Sequence, residues 1–181
     1  MAAAVPVLTT ERLLLRELTP EDAGPLHDVV GDPETMRFYP HPYSPDEVAA
    51  WIEWSRRSYE RNGFGLWALV LTETGQLVGD CGLTVQDVDG ESFVEAGWHV
   101  NKLLWRRGLA TEGGLATRDH AFEVVGVDRL ISLVRVENEP SAGVARKLGM
   151  TVWRHTRRAG FDHFVFSLDR AEWERLRSSG A

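Results

Sequence analysis

The run Trp105, Arg106, Arg107, Gly108, Leu109, Ala110, Thr111, Glu112 places a short turn with two arginines where a helix begins, directly after an apolar strand. The first backbone N–H groups of a helix have no partner inside it and lie at the positive end of its macrodipole. A turn with small residues at Gly108 and Ala110 can therefore wrap them around an anion such as a pyrophosphate, with Arg106 and Arg107 adding charge. Two nucleotide motifs are excluded by spacing: no G-x-x-x-x-G-K-[ST] occurs, and no G-x-G-x-x-G follows a strand. The expected ligand is a nucleotide-bearing cofactor of a different kind.

A second segment sharpens this expectation: Asn138, Glu139, Pro140, Ser141, then Val144, Ala145, Arg146, Lys147, Leu148, Gly149, Met150. The pair W-x-x-G-x-A-T-E and N-x-x-S-x-x-x-x-x-K-L-G-M, with Glu95-Ala96-Gly97-Trp98 upstream, resembles the GNAT acetyltransferase superfamily, and within it the RimJ/RimL-type protein N-acetyltransferases. The likeness begins at Thr10-Glu11-Arg12-Leu13-Leu14-Leu15-Arg16, passes through Leu77-Val78-Gly79 to Gly82-Leu83, and runs to the strand pair near the C-terminus. Two positions depart from the family pattern. Trp105 stands where the superfamily prefers Gln or Arg, and Arg106 stands where Gly usually follows.

The resemblance implies acetyl-CoA as donor, a primary amine as acceptor, and a pyrophosphate held by the backbone amides from Arg106 to Thr111. It further implies that the backbone of the strand ending at His99 and Val100 binds the pantetheine arm and polarises the thioester carbonyl. Asn138 follows the next strand, where a splayed gap would admit that arm, and its amide can donate and accept. Ser141 is a candidate proton donor to the leaving thiolate, or equally a residue of a helix N-terminus satisfying its own amides. An acetyl-CoA-dependent enzyme working by direct attack in a ternary complex is expected. The acceptor is a peptide N-terminus or a small molecule such as a polyamine or an antibiotic, and the rival outside catalysis is an idle acyl-CoA-binding module.

Glu95 lies on a strand in which Val94, Ala96, Trp98 and Val100 form one alternating apolar face, which sends Glu95, Gly97 and His99 to the other. A carboxylate there is costly unless used, and Glu95 is a candidate general base, with His99 as a second base or as a wall of the cofactor groove. The structural alternative for Glu95 is a pairing with arginine or solvent. Arg37, Phe38, Tyr39, His41 and Tyr43 lie where relatives build the acceptor pocket; Phe38, Tyr39 and His41 are the substrate-binding candidates. Cys81 reads as a small buried hydrophobe, because direct attack by an amine needs no covalent enzyme intermediate. Six histidines fall without H-E-x-x-H or a comparable ligand cluster, so no metal is expected.

The 181 residues read as one domain spanning 1–181, with 43% hydrophobic and 26% charged residues, and no apolar run nears the roughly 18 residues of a membrane span. Ala2 to Val7 is too short and lacks the basic start of a signal peptide. The single cysteine fits a cytoplasmic protein. The net charge of −7 argues against nucleic-acid binding, and a monomer or a homodimer is expected. Eighteen of the twenty basic residues are arginine, which suggests a GC-rich bacterial coding sequence. From Thr19 to Ala50, seven acids (Glu21, Asp22, Asp28, Asp32, Glu34, Asp46, Glu47) face one base, Arg37. That segment is either an acidic rim that steers a cationic amine or a set of solvated helix faces.

The elements that must hold these residues follow from periodicity. Strands are expected at Arg12–Leu18, Leu66–Leu71, Leu77–Val85, Phe93–Val100, Arg129–Val136, Thr151–His155 and Phe161–Leu168. Helices are expected from Thr19 to Val30, from the capping box Ser44-Pro45-Asp46-Glu47 to Asn62-Gly63, over Gly108–Val125 and Ser141–Leu148, and over Asp169–Arg177. Asp89-Gly90 marks a hairpin turn. Strand, helix, strand from Phe93 to Val136 form a right-handed crossover with parallel pairing. The expected fold is α/β: a mostly antiparallel mixed sheet of six to seven strands, with a parallel central pair and helices on both faces.

Overall fold

A computed structural model describes residues 6–179, so the reading of Ala2 to Val7 falls mostly outside the described residues. Among the described residues, eight strands form one sheet in the order β1-β2-β3-β4-β5-β6-β8-β7. They are β1 (Pro6–Thr9), β2 (Leu13–Glu17), β3 (Leu66–Leu71), β4 (Leu77–Val88), β5 (Glu91–Val100), β6 (Arg129–Arg135), β7 (Thr151–Arg158) and β8 (Phe161–Asp169). Every pair is antiparallel except β5 with β6. The sheet has one more strand than the expected maximum. The additional strand, β1, is a four-residue edge segment opened by Pro6, too short and too proline-marked to read as a strand.

The helices α1 (Ala23–Val30), α2 (Pro45–Asn62), α3 (Leu109–His120), α4 (Glu139–Lys147) and α5 (Arg170–Ser178) divide between the two faces. The central strand β3 explains why both faces must be covered. Leu66-Trp67-Ala68-Leu69-Val70 is an unbroken apolar run, and its residues are buried on both sides of the pleat. Trp67 and Leu69 join Leu109 of α3, Ala145 of α4 and Trp173 of α5 in one core cluster. Ala68 and Val70 join Leu26, Val29 and Val30 of α1 and Val48 and Ile52 of α2 in the other. Cys81, in the first cluster, sits against Thr117 with its thiol pushed up to about 12 by burial, which makes it a packed hydrophobe and a poor nucleophile.

Local signals set most element ends. Ser44 caps α2, its Oγ accepting from Glu47 N at 3.3 Å while Ser44 N donates to Glu47 Oε2 at 2.8 Å, and Gly63 ends the helix at φ 76°. The Asp89-Gly90 turn, with φ of 54° and 87°, fixes the register of the long β4–β5 hairpin. Several expected boundaries shift: β4 runs on to Val88, β5 starts at Glu91 and β7 runs on to Arg158, and three helices change at their ends. The helix after Thr19 starts as a 3₁₀ turn over Pro20–Asp22 before α1. The expected Gly108–Val125 helix begins at Leu109 and loosens after His120 into a wider π turn, Ala121–Val125. α4 begins at Glu139, two residues earlier than expected, because Asn138 caps it.

Gly113 lets α3 ride close to the sheet: a Cβ there would stand 3.1 Å from Leu69 Cδ1 and 3.5 Å from Cys81 Sγ. Gly113→Leu is expected to destabilise the protein by about 1–3 kcal/mol through overpacking. By contrast, a Cβ at Gly24 in α1 meets nothing within 4 Å. Gly24→Ala is expected to stabilise by about 0.5 kcal/mol, and denaturant unfolding of both variants checks the pair.

Candidate active site

The parallel strands β5 and β6 pair only at Val94 with Leu130 and Glu95 with Ile131, and then diverge. Their divergence opens a groove of about 650 Å³, floored by Trp98, His99 and Val100, walled by the turn from Leu104 to Thr111 on one side and by Asn138 to Ser141 on another. Glu95 stands at the fork. Its Oε1 accepts the Leu133 N–H at 3.0 Å, replacing a ladder bond that the divergence forfeits, and its Oε2 accepts from Thr84 Oγ1 at 3.1 Å. Burial raises the Glu95 pKa, opposed by the Leu133 N–H, the Thr84 hydroxyl, Arg158 and Gln86. Glu95 does not line the groove.

The turn before α3 holds two residues in the left-handed region, Arg106 at φ 61° and Gly108 at φ 81°. Arg106 accepts a conformation that glycine adopts freely and that costs a side-chain-bearing residue about 1–2 kcal/mol. The first intrahelical bond of α3 is donated by Glu112 N to Gly108 O, and among the described residues no side chain caps the helix. The N–H groups of Leu109, Ala110 and Thr111 are thus left for a ligand, and all three residues line the groove with Arg106 and Gly108. These unpaired donors, at the positive end of a 12-residue helix, fit a pyrophosphate.

Three partners hold the turn in place, and two of them were missed by the sequence reading as functional residues. Trp105 Nε1 donates to Val100 O at 2.7 Å, tying the turn to the end of β5. The Arg12 guanidinium donates to Arg107 O at 2.9 Å and to Glu112 Oε2 at 2.7 Å, and Glu112 also accepts from Thr10 Oγ1 and from Arg12 N. Arg107 itself does not line the groove; its carbonyl is a strut. The signal for Arg12 and Glu112 lay in the quoted motifs T-E-R and A-T-E, which the fold brings together.

Asn138 caps α4, its Oδ1 accepting from Ser141 N at 3.2 Å; the residue lines the groove, and its Nδ2 makes no hydrogen bond to the described residues. Ser141 is the third residue of α4 and also lines the groove. Its Oγ makes no hydrogen bond to the described residues.

His99 is joined to a residue that the sequence reading did not single out. Its Nδ1 lies 2.7 Å from Oδ1 of the fully buried Asp80, its Nε2 lies 2.8 Å from the Tyr39 hydroxyl, and Trp51 Nε1 donates to Asp80 Oδ2 at 3.1 Å. Burial works against the imidazolium, but the Asp80 carboxylate and, more weakly, Glu95 outweigh it and raise the His99 pKa. The Tyr39 pKa is raised too, by burial of its hydroxyl and then by Glu95 and Asp80.

Asp32 shapes the approach to this cluster, because its Oδ1 accepts from Glu34 N and Thr35 N and winds the turn that carries Phe38 and Tyr39 to the groove. Arg135 pins this turn from the opposite side, donating to Phe38 O at 3.3 Å. His41 does not belong to the groove. It is exposed, with Nδ1 on Pro42 O and Nε2 3.6 Å from Glu47. The acidic segment is also largely spent internally: Asp22 pairs with Arg16, Asp32 and Glu34 with Lys102, and Glu47 with the α2 cap. Solvated and capping charges therefore account for it better than a steering rim does. Among the described residues no group of three or more His, Cys, Asp or Glu side chains gathers to hold a metal, and no helix is long and apolar enough to cross a membrane.

A parallel pair parts over a groove, and the helix that follows begins with backbone N–H groups free to meet an anion. The profile of the acetyltransferase (GNAT) domain matches residues 12–151, and the chain belongs to that family. It is 28% identical over 144 residues to the uncharacterized protein YkkB of Bacillus subtilis, covering 79% of this chain and 84% of that one. It is 24% identical over 179 residues to the uncharacterized N-acetyltransferase YnaD of the same species, covering 92% and 98%. An acetyltransferase structure from Agrobacterium tumefaciens superposes with a TM-score of 0.79 at 29% identity, over 93% of this chain and 96% of that one. The protein is an acyltransferase, and acetyl-CoA is the acyl donor of its family.

The turn yields a paired test. Gly108→Val forces a β-branched side chain into the left-handed region and is expected to weaken CoA binding about tenfold or more. Arg106→Gly removes the same kind of strain and is expected to leave the thermal midpoint within a few degrees, since the relief is offset by about 0.5–1 kcal/mol of added chain entropy. Calorimetric titration with CoA and thermal unfolding check both.

Proposed function

We propose that one domain carries an acetyl-CoA-dependent N-acetyltransferase activity, acting on a primary amine by direct attack within a ternary complex. The observation that carries the reading is the groove at the β5–β6 fork, which ends on the three uncapped N–H groups of Leu109, Ala110 and Thr111. Those groups, with Arg106, would hold the pyrophosphate of the donor. Asn138 Nδ2 and the backbone at His99 and Val100 would hold its pantetheine arm, and a thioester brought there supplies the acetyl group. Ser141, which lines the groove, would return a proton to sulfur, a role that a water can share. The amine would enter past Phe38 and Tyr39 onto the face of β5 that bears Glu95 and His99, one of which takes its surplus proton.

The RimJ/RimL-type motifs favour a peptide N-terminus as acceptor in a cytoplasmic setting, over a polyamine or an aminoglycoside-like amine. The preference follows from likeness of motif. Incubation of the protein with labelled acetyl-CoA and a panel of peptides, polyamines and aminoglycosides is expected to give label transfer to peptide α-amines. Transfer to none of these amines, with CoA bound, would make the protein an idle acyl-CoA-binding module.

CoA is expected to raise the thermal midpoint, because a ligand at a hundredfold its dissociation constant stabilises the native state by about 2.7 kcal/mol. Ser141→Ala is expected to cut turnover by less than about tenfold without changing CoA affinity, because water substitutes for the hydroxyl. Initial rates and calorimetry measure the two effects separately.

A further inference from the structure

We propose that His99 is the proton acceptor for the amine, and that buried Asp80, which no motif marks, is the positioning residue that makes it one. The inference rests on the reading of the groove as an amine acetyltransferase site and assigns its base.

The geometry points to His99 by what each candidate carboxylate already does. Glu95 spends Oε1 on the Leu133 N–H and Oε2 on Thr84, and its place at the fork is explained by the strand divergence alone. Asp80 and His99 have no such structural need. A buried carboxylate–imidazole pair between β4 and β5 is a costly way to fill a position that apolar side chains of similar volume would fill as well or better. The pair is also polarised in one direction. A carboxylate only accepts hydrogen bonds, so the His99 Nδ1 carries the hydrogen that meets Asp80 Oδ1, and Trp51 Nε1 holds the other oxygen. That tautomer leaves the Nε2 lone pair turned outward, where it accepts from the Tyr39 hydroxyl.

Tyr39 sits on the surface turn that begins at Asp32, is 37% exposed, and lines the groove together with His99. Its hydroxyl occupies the site on Nε2 that the acceptor nitrogen would take. An ammonium arriving there gives one proton to Nε2 and becomes a neutral amine. The nitrogen lone pair then forms the C–N bond at the thioester carbonyl carbon while the C–S bond breaks with its electron pair going to sulfur. The thiolate takes up the second proton lost by nitrogen, through Ser141 or water, and the imidazolium gives the first to solvent. The charged and titratable groups facing His99 are Asp80 from β4, Glu95 from its own strand and Tyr39 from the turn, with the Trp51 indole N–H from α2 on Asp80. Both carboxylates favour the imidazolium, so His99 is a stronger base than a free imidazole and is neutral only above the ordinary midpoint of 6.5.

The experiment joins three readouts on the wild type, His99→Asn, Asp80→Asn and Glu95→Gln: CoA affinity by calorimetry, the pH profile of kcat/KM, and the NMR titration of His99 in the free protein. Asn at position 99 keeps an N–H for Asp80 but has no Nε2. Asn at position 80 offers an N–H to Nδ1 and so selects the tautomer whose Nε2 is a donor. The wild-type profile is expected to rise with an apparent pKa above 6.5 that coincides with the His99 titration. His99→Asn is expected to lose about 10²- to 10⁴-fold in kcat and to lose the rising limb. Asp80→Asn is expected to lose a similar factor in kcat and to lower the His99 titration midpoint, a shift that a purely structural role would not produce. CoA affinity is expected to stay within about threefold in both, and Glu95→Gln to keep the limb. A rising limb that survives His99→Asn or vanishes in Glu95→Gln overturns the assignment, as does a wild-type limb that fails to match the His99 titration. Absence of CoA binding in the wild type would instead overturn the reading of the groove.

Discussion

The divergence of β5 from β6 is the constraint on which the site depends. A parallel pair held only at Val94–Leu130 and Glu95–Ile131 leaves backbone groups without ladder partners beyond that point. The protein satisfies the Leu133 N–H with the Glu95 carboxylate and keeps the remaining gap as a groove. Everything that could bind a donor is arranged around that gap: the start of α3 where the chain leaves β5, and the Asn138-capped start of α4 where it leaves β6. Both helices begin at the carboxyl ends of the parted strands, the position at which open α/β sheets present ligand sites.

The fork is stable because its surroundings are rigid in two ways. The apolar strand β3 draws α1 and α2 to one face and α3, α4 and α5 to the other, so the sheet cannot close the groove without moving a packed core. The turn before α3 holds two left-handed residues, and Arg12, Glu112 and Trp105 tie it to the turn between β1 and β2, to α3 and to β5. The local strain at Arg106 is thus borne by a hydrogen-bonded frame that pre-orders the N–H groups of Leu109, Ala110 and Thr111. On the other face of β4 and β5, the Asp80–His99–Tyr39 chain reaches the same groove, so the proposed anion site and the proposed proton acceptor lie on opposite sides of it.

Much of this was legible in the sequence because it rests on local rules. The Ser44 capping box, the Asp89-Gly90 turn, the small residue Gly108 and the period-two pattern of β5 each act within a few residues. What was missed is non-local. Glu112 and Arg12 are a hundred residues apart in the chain, and only the folded hairpin shows that one clamps the other. Asp80 is the instructive case. Equal counting outward along both strands from the Asp89-Gly90 turn places Asp80 opposite His99 and Thr84 opposite Glu95, the register the structure shows. The alternation argument that singled out Glu95 therefore applied equally to Asp80 on the neighbouring strand. His41 erred in the opposite direction. It shares a loop with Phe38 and Tyr39, but the turn wound by Asp32 ends before it, and proximity in sequence did not carry it into the groove.

The central claim is that the backbone at the start of α3 receives the donor's pyrophosphate, and amide NMR of the protein with added CoA tests it most directly. The account predicts that the amide resonances of Gly108, Leu109, Ala110 and Thr111 move furthest, downfield as they gain anionic acceptors, with Asn138 and Ser141 following and the α2 amides near Trp54 unmoved. Saturable binding whose largest shifts fall outside the turn from Arg106 to Thr111 would contradict it.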